Sequence, residues 1–468
     1  MARRLLFGLV GAALALPLVV ALRGFMVDDA LITARYAANV AAGHGYRFNP
    51  SGAATDGVTP LGFAYLLAPF ATGGALAAFR AAKLLGAVAW LLGAGAMAQQ
   101  IGEMAGSRRR WLALSLLACS APLAAWAVAG METGLVLGLA AFAAVAVMRE
   151  QGRLAAGLAG VVAGLRPEAL LWAGVVGWGA GAATRRARGE RLLLAAGPFV
   201  LVAVLRLIVF GRPAPLAVFA KRSDLQHGAL YAAACFLLTG PLAAVAVRGL
   251  SRPTRVLQLA VLAQLVAVVL VGGDWMPLSR LVVLALPSVI LVAAAVLARG
   301  PEGILARALS LGRLGLALAG VIYALVTVGP RAAEVSEKRF AVIDALAPAL
   351  ADAKAIAALD VGWVGVAAPE AAILDLAGVT EPAVAALSGG HTTKRVPDGL
   401  LASRGVDTLV LLLADDQPLV EPWPDSHFAR FVEHHVAQMS SMARRFEPVA
   451  VSPAPLRYVV LRQRRDGT

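Results

Sequence analysis

Between Leu5 and Val328 the sequence is a succession of apolar runs divided by short polar stretches in which arginine recurs, and no other feature limits the fold as strongly. Inside a bilayer the backbone polar groups of such runs are satisfied only by hydrogen bonds closed within a helix or a barrel, and runs of this length fit helices. Of 468 residues, 59% are hydrophobic and only 15% charged, and mean hydropathy is +0.76, which excludes a soluble protein of this size. The net charge of +14 does not point to nucleic acid, because the basic residues cluster in short loops with no extended basic face or aromatic interleaving. Cys119 and Cys235 both lie inside apolar runs, so no disulfide framework or zinc motif is available.

Positive charge sets the expected topology. Leu5 to Leu22, after Arg3 and Arg4, is read as an uncleaved anchor with a cytoplasmic N-terminus, since Leu22 and Arg23 spoil a small-residue cleavage site. Val27 to Thr59 is then extracytoplasmic. Pro60 to Ala78, interrupted by Pro69 and Gly73-Gly74, is expected to lie at the outer interface, because only then does Leu84 to Ile101 cross and bring Arg108, Arg109 and Arg110 inside. The register continues through Trp111 to Ala129, Gly134 to Met148, Leu154 to Leu165, Ala169 to Ala183, Leu192 to Phe210, Ala229 to Val247, Val256 to Val271, Leu281 to Ala298 and Leu314 to Val328, and each return to the cytoplasm ends in arginines.

The expected fold class is therefore an α-helical polytopic membrane protein of about eleven transmembrane helices, with a small extracytoplasmic α/β domain at its C-terminal end. Residues 1–330 make the transmembrane domain, residues 23–79 its first extracytoplasmic loop, and residues 331–468 the α/β domain. In the latter, Glu334 to Leu350 has an amphipathic helical pattern and Leu400 to Arg404 ends a helix. Ala355 to Asp360, Ala372 to Leu376 and Thr408 to Leu413 read as strands, with Val449 to Val451 and Tyr458 to Arg462 as edge strands. No phosphate-binding glycine loop, nucleotide fingerprint, internal repeat or low-complexity linker appears.

With sidedness set by basic clusters alone, the loops of unusual chemistry all emerge on the outer face: Asp28-Asp29, Met131-Glu132, Leu165 to Glu168, Phe219 to Lys221 and Gly272 to Trp275. Ionisable groups at helix ends on one side of a bilayer read as a site. The densest stretch is Val27 to Thr59. Asp28 and Asp29 open a helical pattern that places Asp28, Ile32, Arg35 and Asn39 on one face and Asp29, Thr33, Tyr36 and Val40 on the adjoining one. Gly43, Gly45, Asn49, Pro50 and Gly52 end that helix, and Asp56-Gly57 makes a further turn.

The run DDALITARYAANVAAGHGYRFNP followed by DGVTPL, then GMET, GLRPEALLW, PAPLAVFAK, GGDWMPLSRLVV, and ILDLAGVTEPAVA with GHTTKRVP, resembles the bacterial membrane glycosyltransferases of the C superfamily (GT-C). Within it the mycobacterial terminal arabinofuranosyltransferases and their relatives are the nearest group. The resemblance implies a many-helix bundle, a first extracytoplasmic loop carrying the catalytic carboxylate, a periplasmic C-terminal domain, and a polyprenyl-phosphate sugar donor in place of a nucleotide sugar. It departs at SGAATDGVTPLGF, where the family carries a Glu-Gly-Tyr-Thr type sequence, and this bears on sugar or acceptor specificity.

Such a transfer needs a base for an acceptor hydroxyl, cations or hydrogen-bond donors for the leaving phosphate, and an apolar groove for the polyprenyl chain. Adjacent carboxylates repel, which raises the proton affinity of one while the helix dipole and Arg35 hold the other ionised. Asp28 is the expected base, and Asp29 its partner or a sugar or metal ligand; the plain alternative is that both cap a surface helix. Arg166, Lys221 and Arg280 are the phosphate candidates, against ordinary snorkelling. Glu132, Glu168 and Asp274 are expected to pair with them or to bind sugar hydroxyls. Asp56, His44, Trp275 and His391 complete the candidate substrate contacts, with His391 also able to fix the C-terminal domain. A divalent cation is left open, since two adjacent carboxylates make an incomplete site for a hard metal. The expected partners are the lipid-phosphate sugar, an envelope glycan or lipid acceptor and membrane lipid, at the inner membrane of a bacterium. The rival readings are a polyprenyl-lipid transporter or flippase and a non-catalytic accessory subunit.

Overall fold

The computed structural model describes residues 2–104, 106–181, 184–220, 224–239, 250–274, 276–299, 303–414 and 417–464. The chain divides into two compact units. One comprises Met1–Met26, Ala82–Leu205 and Ser223–Ala333, the other Val27–Ala81, Arg206–Arg222 and Glu334–Thr468. The partition by composition places residues 23–79 with the membrane part; the compact units group nearly all of that loop with the C-terminal residues.

The first unit is helical. Among the described residues, five helices are long and apolar enough to cross a membrane, Ala2–Ala21, Ala75–Met104, Arg185–Phe210, Arg252–Leu270 and Leu314–Leu350, and a bent pair makes a sixth. That pair is the expected span Trp111 to Ala129, which is broken by 44° between Arg109–Ala118 and Ala121–Ala127, just before Pro122. Helices Thr133–Met148, Gly152–Leu165 and Leu170–Gly179 have 16, 14 and 10 residues, hence lengths of roughly 24, 21 and 15 Å against a hydrocarbon core of about 30 Å. The expected count of about eleven crossings thus exceeds what helix length alone supports. Of Ala229 to Val247, the helix Leu225–Thr239 is described, and the rest lies outside the described residues.

Three boundaries move for local reasons. The apolar stretch after Pro60 forms only Leu61–Leu67 and a short 3-10 turn, Ala68–Phe70. Gly74, at φ 85°, then turns the chain into the long helix Ala75–Met104, which starts well before the expected Leu84. At the other end, Pro330 does not end a helix. Gly303–Tyr323 passes through a π turn at Ala324–Val328 into Gly329–Leu350, with the Gly329 amide donating to Ala324 O. A wider turn there skips the hydrogen bond that Pro330 has no N–H to make.

Helix Thr133–Met148 lies along Gly152–Leu165, which lies along Leu170–Gly179, which in turn packs on Arg252–Leu270. Small residues let these backbones approach, as in membrane helix pairs generally. A Cβ at Gly134 would sit 2.5 Å from Gly86 Cα and 2.7 Å from Ala127 O.

The second unit is built on a five-stranded sheet of order β2-β1-β3-β5-β4. β1 (Ala355–Ala358) runs parallel to both β2 (Ala372–Asp375) and β3 (Thr408–Leu412); β5 (Tyr458–Gln463) is antiparallel to β3 and to β4 (Phe446–Val451). Expected as an edge, β5 is instead interior, because Tyr458, Val459, Val460 and Leu461 are apolar on both faces and all are buried. Leu374, Leu409, Leu411, Trp423, Val436, Phe446 and Leu461 form the core on one side. Within the same unit, helix Asp28–Ala41 is docked on the short helix Val361–Ala367.

Replacing Gly134 with leucine forces Gly86 or Ala127 to move, at about 1–3 kcal/mol or more. The variant is expected to lower the thermal midpoint of the detergent-solubilised protein, whereas Gly157→Leu, which has open space around its Cβ position, leaves it unchanged.

Candidate functional site

Helix Asp28–Ala41 begins after Val27, which offers no side-chain cap, and carries two acids in its first turn. Neither acid caps its own helix. The Asp28 carboxylate instead accepts from the Gly362 amide at 2.9 Å and the Trp363 amide at 3.1 Å, the first amides of helix Val361–Ala367. Two turns further along the same face, Arg35 donates through Nη1 to Gly365 O at 2.6 Å and Ala368 O at 3.1 Å, and through Nη2 to Ala371 O at 2.8 Å. An anion at the N-terminal end and a cation at the C-terminal end both complement the dipole of that short helix. A side chain at Gly362 would collide with the Asp28 carboxylate.

Arg35, expected to help hold one of the two carboxylates ionised, thus gives its hydrogens to backbone carbonyls. Its Nε takes Phe48 O at 2.8 Å as well, and Asn39 Nδ2 binds Arg47 O and Phe48 O at 2.9 Å each. Asn49 exchanges hydrogen bonds with the backbone of Ile373 at 2.8 and 3.0 Å. The face Asp28–Arg35–Asn39 thus ties the helix to the following loop and to residues beside β2. Asp29 is partly exposed and makes no hydrogen bond or ion pair among the described residues.

Around Asp28 lies a charged network that the sequence reading missed. Arg339 Nη1 stands 3.9 Å from Asp28 Oδ1 and donates to Tyr458 Oη at 3.0 Å. The Tyr458 hydroxyl donates to Asp360, which also receives Arg430 at 2.7 Å; Arg430 reaches Glu433 at 3.2 Å. Burial lifts the Asp28 carboxyl to about 6 against the pull of Arg339, with Asp360 and Asp29 adding to the rise. Burial pushes Asp360 up too, but Arg430, Arg339 and the Tyr458 hydroxyl more than reverse it and leave it below the ordinary range. Burial carries Glu433 to about 7 despite Arg430. Its Oε1 accepts from the Leu412 amide at 3.0 Å while Oε2 has no partner.

The other candidates of this unit are placed differently. Asp56 is buried and paired with Arg206 at 2.6 Å; its Oδ1 has no partner, and burial raises its pKa against the Arg206 charge. A cavity of about 60 Å³, lined in part by Thr55, Phe210, Arg212, Leu216 and Pro382, adjoins it. His44 is exposed in the turn between Gly43 and Gly45. His391 is partly exposed in a turn whose Lys394 is buried and donates to Ala385 O and Leu387 O at 3.1 and 2.6 Å. The ILDLAGVT motif is the end of β2 followed by a turn, with Asp375 accepting from the Ala377 and Thr380 amides.

In the first unit, three loops that are far apart in sequence meet. Arg166 Nε pairs with Glu132 at 2.7 Å, Nη1 with Glu168 at 3.2 Å, and Nη2 donates to Thr133 Oγ1 at 2.5 Å. Asp274 pairs with Arg280 at 2.5 Å and is near enough to Arg166 to act on it. Glu132 Oε2 is buried without a hydrogen bond. Just before Arg280, Leu278 and Ser279 hold φ of 57° and 59°, a strained conformation for side chains of this kind, with Trp126 Nε1 donating to Leu278 O at 3.1 Å. Lys221 and Trp275 lie outside the described residues.

No group of three or more His, Cys, Asp or Glu among the described residues is arranged to hold a metal ion. Asp28 itself suits a divalent cation poorly, because both its oxygens accept backbone amides and a guanidinium stands beside it.

No protein-family model and no curated protein matches the sequence. Among solved structures, the chain is similar to the apo crystal structure of the Archaeoglobus fulgidus oligosaccharyltransferase, at 12% identity and a TM-score of 0.47, over 88% of this chain and 69% of that one. Similarity at that level fixes neither a family nor an activity.

Two outcomes follow from this geometry. Arg35→Met removes a charged donor shared by four carbonyls, of which Phe48 O keeps Asn39 and Ala368 O keeps the Ala371 amide, and should cost about 3 kcal/mol, seen as a lowered thermal midpoint. Glu433 has a higher proton affinity folded than unfolded, so its ionisation costs stability as pH rises through about 7. Glu433→Gln should therefore raise the midpoint relative to wild type at pH 8, by on the order of 2–4 °C, with the gain shrinking toward pH 5.

Proposed function

We propose that this chain is an inverting glycosyltransferase of the C superfamily, moving a sugar from a polyprenyl-phosphate donor to an envelope glycan or lipid on the outer face of the bacterial inner membrane. An arabinofuranosyl unit is the sugar favoured by the sequence resemblance. The observation that carries the reading is the state of Asp28. Its two oxygens are oriented by the Gly362 and Trp363 amides, each keeps a lone pair, and burial brings its proton affinity to about 6, close to what a general base at neutral pH needs.

In this scheme Asp28 accepts the proton of the acceptor hydroxyl as the oxygen attacks the anomeric carbon. The bond from that carbon to the phosphate oxygen breaks, polyprenyl phosphate leaves, and the anomeric configuration inverts. Asp29, without a hydrogen bond or ion pair among the described residues, is assigned to hold the acceptor or sugar. In the first unit, Glu132, Glu168 and Asp274 outnumber Arg166 and Arg280 by one charge. That balance favours sugar hydroxyls over a phosphate as ligands of this cluster taken by itself, and Lys221 stays a phosphate candidate.

The test is transfer of radiolabelled sugar in membranes from a panel of polyprenyl-phosphate sugars, comparing wild type with Asp28→Asn and Asp29→Asn at matched expression. One donor is expected to be used, with a loss of about 10²–10⁴-fold in Asp28→Asn and a smaller loss, expressed mainly in KM, in Asp29→Asn. Lipid binding without transfer from any donor would instead favour the transporter or accessory reading.

A further inference from the structure

The groups that face Asp28 come from three elements, and they do not balance. From its own helix comes Asp29; from the start of helix Val361–Ala367 come Asp360 and the Gly362 and Trp363 amides; from helix Gly329–Leu350 comes Arg339. Two carboxylates and burial press Asp28 toward its protonated form, and among the described residues Arg339 is the cation that chiefly opposes them. At 3.9 Å that guanidinium is an ion-pair partner and not a hydrogen-bond donor. Its nearer hydrogen goes to Tyr458 Oη at 3.0 Å, and its charge lies over the Tyr458 ring. Tyr458 cannot drift, because it is buried in β5, leans on Trp363 with ring centroids 4.8 Å apart, and donates to Asp360, which Arg430 also holds.

A cation that closed fully on Asp28 would occupy the lone pairs a base must offer. A cation farther away would let burial protonate it. We propose that Arg339 is a positioning residue that keeps Asp28 ionised without occupying it, and that Tyr458 fixes the guanidinium at that standoff. This rests on the reading of Asp28 as the base. It gives helix Gly329–Leu350 and β5 a part in the chemistry that neither the motifs of the first loop nor their resemblance assigns.

The experiment uses the full-length protein in lipid nanodiscs. A water-soluble carbodiimide with an amine nucleophile labels protonated carboxyls, and fragment mass spectrometry reads Asp28 separately from Asp29 across pH. The pH profile of kcat/KM is measured in parallel. In Arg339→Gln the labelling midpoint of Asp28 should rise by about 1–2 pH units, and the acid limb of the rate profile should rise with it, so that activity lost at neutral pH returns on the alkaline side. Arg339→Lys, the milder change, keeps the charge and should hold the midpoint near the wild-type value. An unmoved midpoint in Arg339→Gln, or a midpoint displaced in Arg339→Lys as far as the neutral variant predicts, overturns the proposal; the lysine variant decides the matter if the glutamine variant does not fold. A midpoint that rises while the acid limb stays fixed upholds the role of Arg339 and overturns Asp28 as the base.

Discussion

Much of the second unit depends on one docking: helix Asp28–Ala41 against the seven-residue helix Val361–Ala367. A helix of that length leaves most of its amides and carbonyls without partners inside itself. Asp28 satisfies two amides at one end, and Arg35 takes carbonyls at and beyond the other. The seven-residue spacing of the two charged side chains matches the length of the helix they span. The same residues that could do chemistry are therefore bound into the architecture, and the orientation of the Asp28 carboxylate is a product of the fold.

The cost of that arrangement is burial of charge. Asp28, Asp360, Arg339, Arg430 and Glu433 are linked through Tyr458 into one network, and removing Arg430 or Arg339 leaves neighbouring carboxylates to carry a less compensated buried charge. The network does not neutralise its members equally. Asp360, with two guanidiniums and a hydroxyl, stays ionised below the ordinary range, whereas Asp28 and Glu433, with weaker compensation, titrate near neutrality. Groups of the same chemical type are thus set apart by their partners, as sites that transfer protons require.

The elements of this protein were far more legible in the sequence than their partnerships. Period and composition located four of the five strands to within a residue or two, because apolar blocks such as Ala372 to Leu376 and Thr408 to Leu413 are bounded by turn residues, whereas β4 begins at Phe446, three residues before the expected Val449. The helical face Asp28–Arg35–Asn39 was legible for the same reason. What that face touches was not, since the amides of Gly362 and Trp363 lie more than 330 positions away and backbone acceptors leave no mark in a sequence. Tyr458 reads only as the start of an apolar strand, and Arg339 as one basic residue in an amphipathic helix. The pairing of Glu132, Glu168 and Asp274 with nearby arginines was among the readings available, but the convergence of their three loops on Arg166 required coordinates.

The second unit is discontinuous, and this matters for how the molecule is made. Asp28 is synthesised hundreds of residues ahead of its amide partners at Gly362 and Trp363 and of the Tyr458 that holds Arg339. Contacts of such separation form late, after the entropy of closing the loop has been met. During synthesis the Asp28 helix exists without the groups that orient its carboxylate or hold it ionised. A chain still being translated therefore lacks the groups that surround Asp28 until β5 has been made and has joined the sheet beside β3.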